Sequence, residues 1–273
     1  MKHNFKRILS TILAGAICSA CMLTGAASGT TASAASNTSG GVVCSDQLGD
    51  GHIVFYPESL LVQDEATYPV IVWANGTMCA PALYYSLLSD LASDGYIVVA
   101  NRELFAGNGR AQRASIDYIT EKNNDASSVF YGKADLSHIG AAGHSQGGMS
   151  TVNAAADDAR IDCIFTIAAN AERSSAARLQ VPAFYAAGGS DWIVSASRYV
   201  KPAYNSTPSA AVYASLRGAG HTACCTNPSA YTGYMTAWFD AFLKEDSAAY
   251  QAFTAGGTLS RDTNWSGYAA KNF

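Results

Sequence analysis

The sequence predicts an α/β fold built on a doubly wound, mostly parallel sheet. Three observations predict it. Short, continuously apolar runs recur along the chain, as strands buried on both faces must. Amphipathic, helix-like segments alternate with those runs. One junction between them reads Gly143-His144-Ser145-Gln146-Gly147-Gly148, the Gly-x-Ser-x-Gly pattern of a strand that turns sharply into a helix.

The elements follow in order. The expected strands are His52–Tyr56, Val70–Trp73, Tyr96–Ala100, His138–Ala142, Cys163–Ala168, Ala183–Ala187 and Ala211–Leu216. Leu83, Leu87, Leu88 and Leu91 recur at helical spacing, and Gly95 closes that helix. Arg110 to Glu121 forms a second helix, and Met149 to Ala156 a third that leaves the serine turn. Tyr234, Met235, Trp238, Phe239, Phe242 and Leu243 make one broad apolar face on a helix that starts at Pro228-Ser229. The connection between Ala168 and Ala183 has room for one short helix and none for a cap domain.

Ahead of these elements, Lys2, Lys6 and Arg7 precede the apolar stretch Ile8 to Leu23, and Ala32-Ser33-Ala34 resembles a signal-peptidase site. Residues 1–35 are therefore expected to be a secretory signal peptide, and residues 36–273 a single catalytic domain. The apolar stretch is too short and interrupted for a stable membrane anchor. Losing this segment removes three basic residues and no acidic ones, so the net charge moves from −4 to −7. That acidic balance argues against a nucleic-acid partner. Five cysteines remain, Cys44, Cys79, Cys163, Cys224 and Cys225, and no spacing among them resembles a zinc site. No metal or other cofactor is expected, and the protein is expected to be a monomer.

A serine hydroxyl is a poor nucleophile until a base takes its proton and a third group orients that base. On a strand–turn–helix elbow the three follow in chain order as Ser, then Asp or Glu, then His. Of five histidines, only His221 follows Ser145. It lies in the glycine-rich loop Arg217-Gly218-Ala219-Gly220-His221 after the last apolar strand. Between Ser145 and His221, Asp191 stands just past the carboxyl end of a strand and is the expected orienter; Glu172 is the alternative. The oxyanion of the tetrahedral intermediate needs backbone donors. The amide of Gln146 supplies one, and that of Thr77, in the loop Asn75-Gly76-Thr77-Met78, the other. His144, adjacent to Ser145, is expected to point elsewhere. Met78, Tyr84 and Trp192 are the expected walls of the substrate groove. If the oxyanion loop and the His221 loop meet over Ser145, Cys79 comes close to Cys224 and Cys225, and a disulfide with one of them is expected. Cys163, in a buried strand, is expected to remain a thiol that packs as a small apolar residue. Asn75-Gly76-Thr77 also reads as a glycosylation sequon, but a glycan there would block the site.

With these residues in view, the chain resembles the lidless α/β-hydrolase esterases that include bacterial cutinases and poly(ethylene terephthalate) hydrolases. The resemblance spans roughly Tyr68 to Leu243. It rests on Pro69-Val70-Ile71-Val72-Trp73-Ala74-Asn75-Gly76-Thr77, on Tyr131-Gly132-Lys133-Ala134-Asp135 leading into the serine motif, and on Ala203-Tyr204-Asn205-Ser206 before Gly218-Ala219-Gly220-His221. It implies the same site: Ser145, Asp191 and His221, with amides at Thr77 and Gln146. It also implies a carboxylic-ester substrate, bulky or polymeric. Three departures bear on specificity. The aromatic polyester hydrolases of that family carry Tyr where Thr77 stands and Met where Gln146 stands. They also carry Trp in the loop that here reads Asn170-Ala171-Glu172-Arg173-Ser174. With both halves of the aromatic clamp missing, aliphatic polyesters or medium-chain esters are the expected substrates. The competing expectations are a polysaccharide acetyl esterase, a lipase, and an inactive surface-binding protein on the same fold.

Overall fold

The computed structural model describes residues 41–45, 51–62 and 65–273. The expected signal peptide lies outside the described residues. Nine strands are described: β1 (Val42–Ser45), β2 (His52–Pro57), β3 (Tyr68–Ala74), β4 (Ile97–Asn101), β5 (Ala134–His144), β6 (Cys163–Ile167), β7 (Ala183–Gly188), β8 (Ala211–Leu216) and β9 (Trp265–Lys271). They join one sheet in the order β1-β2-β4-β3-β5-β6-β7-β8-β9. The six strands from β4 across to β8 run parallel; β1, β2 and β9 are antiparallel additions at the edges. The sheet is of the α/β-hydrolase type.

Helices cover both faces. Gly140 and Gly143 lie three apart on β5 and so face opposite ways. A side chain at Gly140 would strike Phe239 of helix Ser229–Leu243, and one at Gly143 would strike Thr151 of helix Gln146–Asp157. The central strands are thus dry on both sides, which is why they read as unbroken apolar runs. Phe184 on β7 marks the core: it stacks on Phe165 at 4.3 Å and meets Trp238 edge-on at 5.4 Å.

Chain order reverses at β3. From it the chain steps to β4 on one side and later to β5 on the other. Ligands in open parallel sheets bind at such a point, beyond the carboxyl ends of the strands. Here the two loops beyond β3 and β5 hold Thr77 and Ser145. Between β6 and β7 the described chain carries only the four-residue helix Arg173–Ala176, and no cap domain is formed.

β1 and β9 were not among the expected strands. Both are edge strands and mostly half-buried, so neither carries a continuous apolar run. The expected His138–Ala142 strand begins earlier, at Ala134, across an irregularity in its pairing with β3.

One buried polar side chain ties the site-bearing elements together. Gln112, on helix Arg110–Asn124, has no exposed surface. Its amide nitrogen donates to the carbonyls of Val72 (3.1 Å) and Ala142 (2.9 Å) and to Thr151 Oγ1 (3.1 Å), and its oxygen accepts from Ser150 Oγ at 2.8 Å. It thereby joins β3, β5 and the helix that follows Ser145. Gln112→Ala leaves these groups buried without a partner and opens a cavity. Stability is expected to fall by about 3 kcal/mol, read as a lower urea midpoint with an unchanged denaturant slope.

Candidate active site

Ser145 is the hinge between β5 and helix Gln146–Asp157. Its backbone sits at φ 57°, ψ −118°, a conformation L residues rarely adopt. Two close approaches hold it there. The Ser145 amide donates to the carbonyl of Ile167 on the neighbouring strand at 2.9 Å. On the helix side, a Cβ at Gly147 would collide with the backbone carbonyl of Ala74, so only glycine fits. The helix is pressed against the end of β3, and the serine hydroxyl is left standing above the sheet.

His221 Nε2 lies 2.9 Å from Ser145 Oγ, and His221 Nδ1 lies 2.8 Å from Asp191 Oδ2. A carboxylate only accepts, so Nδ1 carries the hydrogen; in the neutral ring Nε2 is then the acceptor facing the serine hydroxyl. Asp191 follows the end of β7, and its side chain is shut off from solvent. Its other oxygen accepts from the amides of Ile193 and Val194, both at 2.9 Å. This fixes the carboxylate plane before the imidazole arrives. Glu172, the alternative orienter, is exposed at the start of a short helix, and its recorded side-chain contact is with Ser174.

Gln146 is the first residue of its helix, where the amide has no acceptor within the helix. Thr77 is half-buried beside Met78, whose φ of 56° turns the loop back on itself. The amide of Met78 donates to the carbonyl of Leu104 at 2.8 Å. Asn75, behind them, is 1 % exposed; its nitrogen donates to the Asn101 carbonyl at 2.7 Å and its oxygen accepts from Trp73 Nε1 at 3.1 Å. Both ends of its amide are used inside the fold, in agreement with reading the sequon as incidental.

The expected groove walls fare unequally. Trp192 is 75 % exposed next to Asp191, and Met78 is half-buried. Leu104 and Phe105, which the sequence reading did not single out, stand exposed beside Met78. Tyr84 is not a wall. It is 1 % exposed, packed against Trp73 with ring centroids 4.9 Å apart. Its hydroxyl accepts from the Gly76 amide at 3.1 Å and meets His144 Nδ1 at 2.9 Å. The sequence could not say which way the Tyr84 hydroxyl turned. The bridge expected from Cys79 to Cys224 or Cys225 is not formed in the structure, where the sulfurs of Cys224 and Cys225 lie 4.0 Å apart. The loops do converge: Tyr84, whose hydroxyl accepts from the Gly76 amide, lies close to Cys79, Cys224 and Cys225. Cys163 is a fully buried thiol, as expected.

His144 does point away from the serine, as expected, but into a defined place. It is 2 % exposed, with Nε2 2.8 Å from the carbonyl of His221. Burial, aided by the neighbouring His221, lowers its pKa to about 3. A groove of about 1050 Å³ lies behind the base loop, lined by Arg217, Thr222, Tyr234 and Asp262 among others; Ser145 is not part of it. Among the described residues no cluster of side chains is arranged to hold a metal ion.

An α/β-hydrolase sheet with a serine on its elbow, a histidine at hydrogen-bond distance and a carboxylate behind it defines a serine hydrolase scaffold. Within that class, the family model described as "PETase: PET hydrolase-like" matches residues 18–271, and the chain belongs to that family. The chain is 29 % identical over 213 residues to Cutinase est2 of Thermobifida alba, covering 76 % of this chain and 68 % of the relative. It is 26 % identical over 213 residues to Cutinase 2 of Thermobifida cellulosilytica, covering 76 % and 78 %. It is 26 % identical over 210 residues to the bis(hydroxyethyl) terephthalate hydrolase of Streptomyces coelicolor, covering 74 % and 65 %. The protein is a serine carboxylic-ester hydrolase.

The buried His144 makes stability depend on pH. Its pKa is about 3 in the fold and near 6.5 in the unfolded chain, so between these values the unfolded state binds more protons. The stability at stake is fully present above about pH 6.5 and is lost progressively toward pH 3. Urea midpoints are expected to fall from pH 7 to pH 4, with a shallower fall in His144→Gln. Equal slopes in the two proteins would contradict this account.

Proposed function

We propose that the protein is an exported esterase that cleaves bulky or polymeric esters through an acyl-enzyme on Ser145. The observation that carries this reading is the chain from Ser145 Oγ through the His221 ring to Asp191, with links of 2.9 and 2.8 Å on a strained elbow. Ser145 Oγ attacks the ester carbonyl while His221 Nε2 takes its proton. The carbonyl oxygen becomes an oxyanion held by the amides of Thr77 and Gln146. Asp191 stabilises the imidazolium, which then gives its proton to the leaving alcohol. Water, activated by the same histidine, releases the acid from Ser145 and restores the enzyme. No step calls for a metal or other cofactor.

The substrate class follows from the shape of the site. With one four-residue helix between β6 and β7, no cap covers half-buried Ser145 from that connection. Met78 adjoins Thr77 and bonds to Leu104, next to exposed Phe105, and exposed Trp192 adjoins Asp191; these side chains are the apolar area proposed to meet the substrate. An open apolar groove accepts a segment from the middle of a polymer chain, which a capped pocket excludes. Thr77 and the Asn170–Ser174 loop carry no aromatic ring to clamp a terephthalate unit. Aliphatic polyesters fit this surface better. Export rests on the amino-terminal pattern of residues 1–35, cleaved to leave a monomeric domain of residues 36–273.

Ser145→Ala is expected to abolish ester hydrolysis and covalent labelling by an organophosphonate, with a loss approaching roughly a millionfold in turnover. His221→Ala is expected to be nearly as severe and Asp191→Asn less so. Retention of more than a few per cent of turnover by Ser145→Ala would show that the nucleophile lies elsewhere.

On films, clearing of an aliphatic polyester is expected to outpace that of poly(ethylene terephthalate). Trp192→Ala and Phe105→Ala are expected to slow film clearing more than hydrolysis of a short soluble ester. Action confined to small soluble esters, with no film or emulsion attacked, would overturn the polymer reading.

A further inference from the structure

We propose that Tyr84 and His144 are positioning residues: a buried relay that fixes the oxyanion loop and the backbone of the base to the serine elbow. The proposal rests on the reading of Ser145, His221 and the Thr77 amide given above.

The direction of every link in the relay can be assigned from its chemistry. The carbonyl of His221 can only accept, so His144 Nε2, 2.8 Å away, must carry the hydrogen. His144 is neutral because burial disfavours its charge. Its Nδ1 is therefore bare and accepts from the Tyr84 hydroxyl at 2.9 Å. With its proton committed, the Tyr84 oxygen accepts from the Gly76 amide at 3.1 Å. The chain runs from the Gly76 N–H to the Tyr84 O–H, to the His144 ring, and on to the His221 carbonyl.

Its ends are the informative part. Gly76 directly precedes Thr77, the proposed oxyanion donor. His144 directly precedes Ser145. His221 is the base itself, held through its own backbone. The relay therefore touches the residue next to the donor, the residue next to the nucleophile, and the base. The space is closed as well: a Cβ at Gly76 would come within 3.1 Å of both His144 Nδ1 and the Tyr84 oxygen. Rings meet along the same path, Trp73 to Tyr84 at 4.9 Å, Tyr84 to His144 at 5.8 Å and His144 to His221 at 4.8 Å. A polar chain of this kind, inside an otherwise apolar wall, is held to one geometry because any displacement leaves a buried group without a partner.

Two consequences bear on the reaction. Misplacing a catalytic group by a fraction of an ångström lowers turnover without weakening ground-state binding. A neutral His144 also places no second positive charge beside His221 when that ring becomes imidazolium. The titratable groups around His144 are the Tyr84 hydroxyl, the His221 ring, the Asp191 carboxylate and the thiols of Cys79, Cys224 and Cys225, which lie around Tyr84.

The test has two arms on the full catalytic protein. In the first, Tyr84→Phe keeps the ring and removes only the hydroxyl. Turnover of a soluble ester is expected to fall roughly tenfold, less than the loss of a whole oxyanion donor, with KM within about twofold. His144→Leu, which severs both links, is expected to lose more, and His144→Gln, which can still donate to the His221 carbonyl, to recover part of that loss. If Tyr84→Phe is less stable yet turns over within twofold of the parent, the relay is only structural and the proposal is overturned. The second arm is nitrogen-15 NMR of the histidine rings in the unmutated protein. His144 is expected as the neutral tautomer with hydrogen on Nε2, unchanged from pH 8 to pH 5. A hydrogen on Nδ1, or protonation within that range, overturns the proposal. This arm reads no activity. A failure of the Ser145 assignment would therefore show in the alanine variant and leave the ring tautomer intact.

Discussion

The contact between Gly147 and the end of β3 is the constraint on which the rest of the site depends. The helix after Ser145 lies so close to the Ala74 carbonyl that no side chain fits between them. That approach forces the serine into a left-handed backbone and lifts its hydroxyl clear of the sheet. It also brings the helix's first amides beside the loop that follows β3, so Ser145 and the amides proposed to hold the oxyanion are set by one packing event. The strain at Ser145 persists because both sides of the turn are anchored, by the Ile167 carbonyl and by the helix.

Around that contact the fold divides its tasks by depth. The parallel strands are apolar and interchangeable in character; they supply a rigid floor. The polar side chains buried near the floor each join separate elements. Gln112 ties β3, β5 and the elbow helix. Asn75 and Asn101 lock the loop after β3, since Asn101 in turn donates to the Trp73 carbonyl. Tyr84 and His144 carry the same logic to the base loop. These networks decide where loops sit that hydrophobic packing alone would leave loose.

On the proposed mechanism, substrate choice belongs to the rim. Asp191 is buried, but its neighbour Trp192 is thrown into solvent. Met78 is half-buried and linked to Leu104, which sets Leu104 and its neighbour Phe105 beside the Thr77 loop. The rim is thus built from residues adjacent in sequence to the reacting groups. It can vary in apolar character without disturbing them.

Much of this was legible in the sequence. Continuous apolar runs announced the seven inner strands, because a strand buried on both faces has no polar alternation to hide. Chain order and elimination singled out Ser145, Asp191 and His221, because an elbow, a strand end and a glycine-rich loop each have local signatures. The edge strands β1 and β9 were not legible: half-exposed strands lack such a signature. Nor were the fates of residues whose role depends on which loops meet in space. Tyr84 was expected in a groove and lies in the core. Its hydroxyl turns toward Gly76 and His144, and that direction is set by partners distant in the chain. Cys79, Cys224 and Cys225, expected to include a bridge, are gathered near that hydroxyl with no bridge formed in the structure. Periodicity and order along the chain determined most of the elements and singled out the residues proposed to carry the chemistry. Three-dimensional packing alone decided which polar atoms faced one another, because hydrogen-bond direction depends on ångström-scale placement that no local pattern encodes.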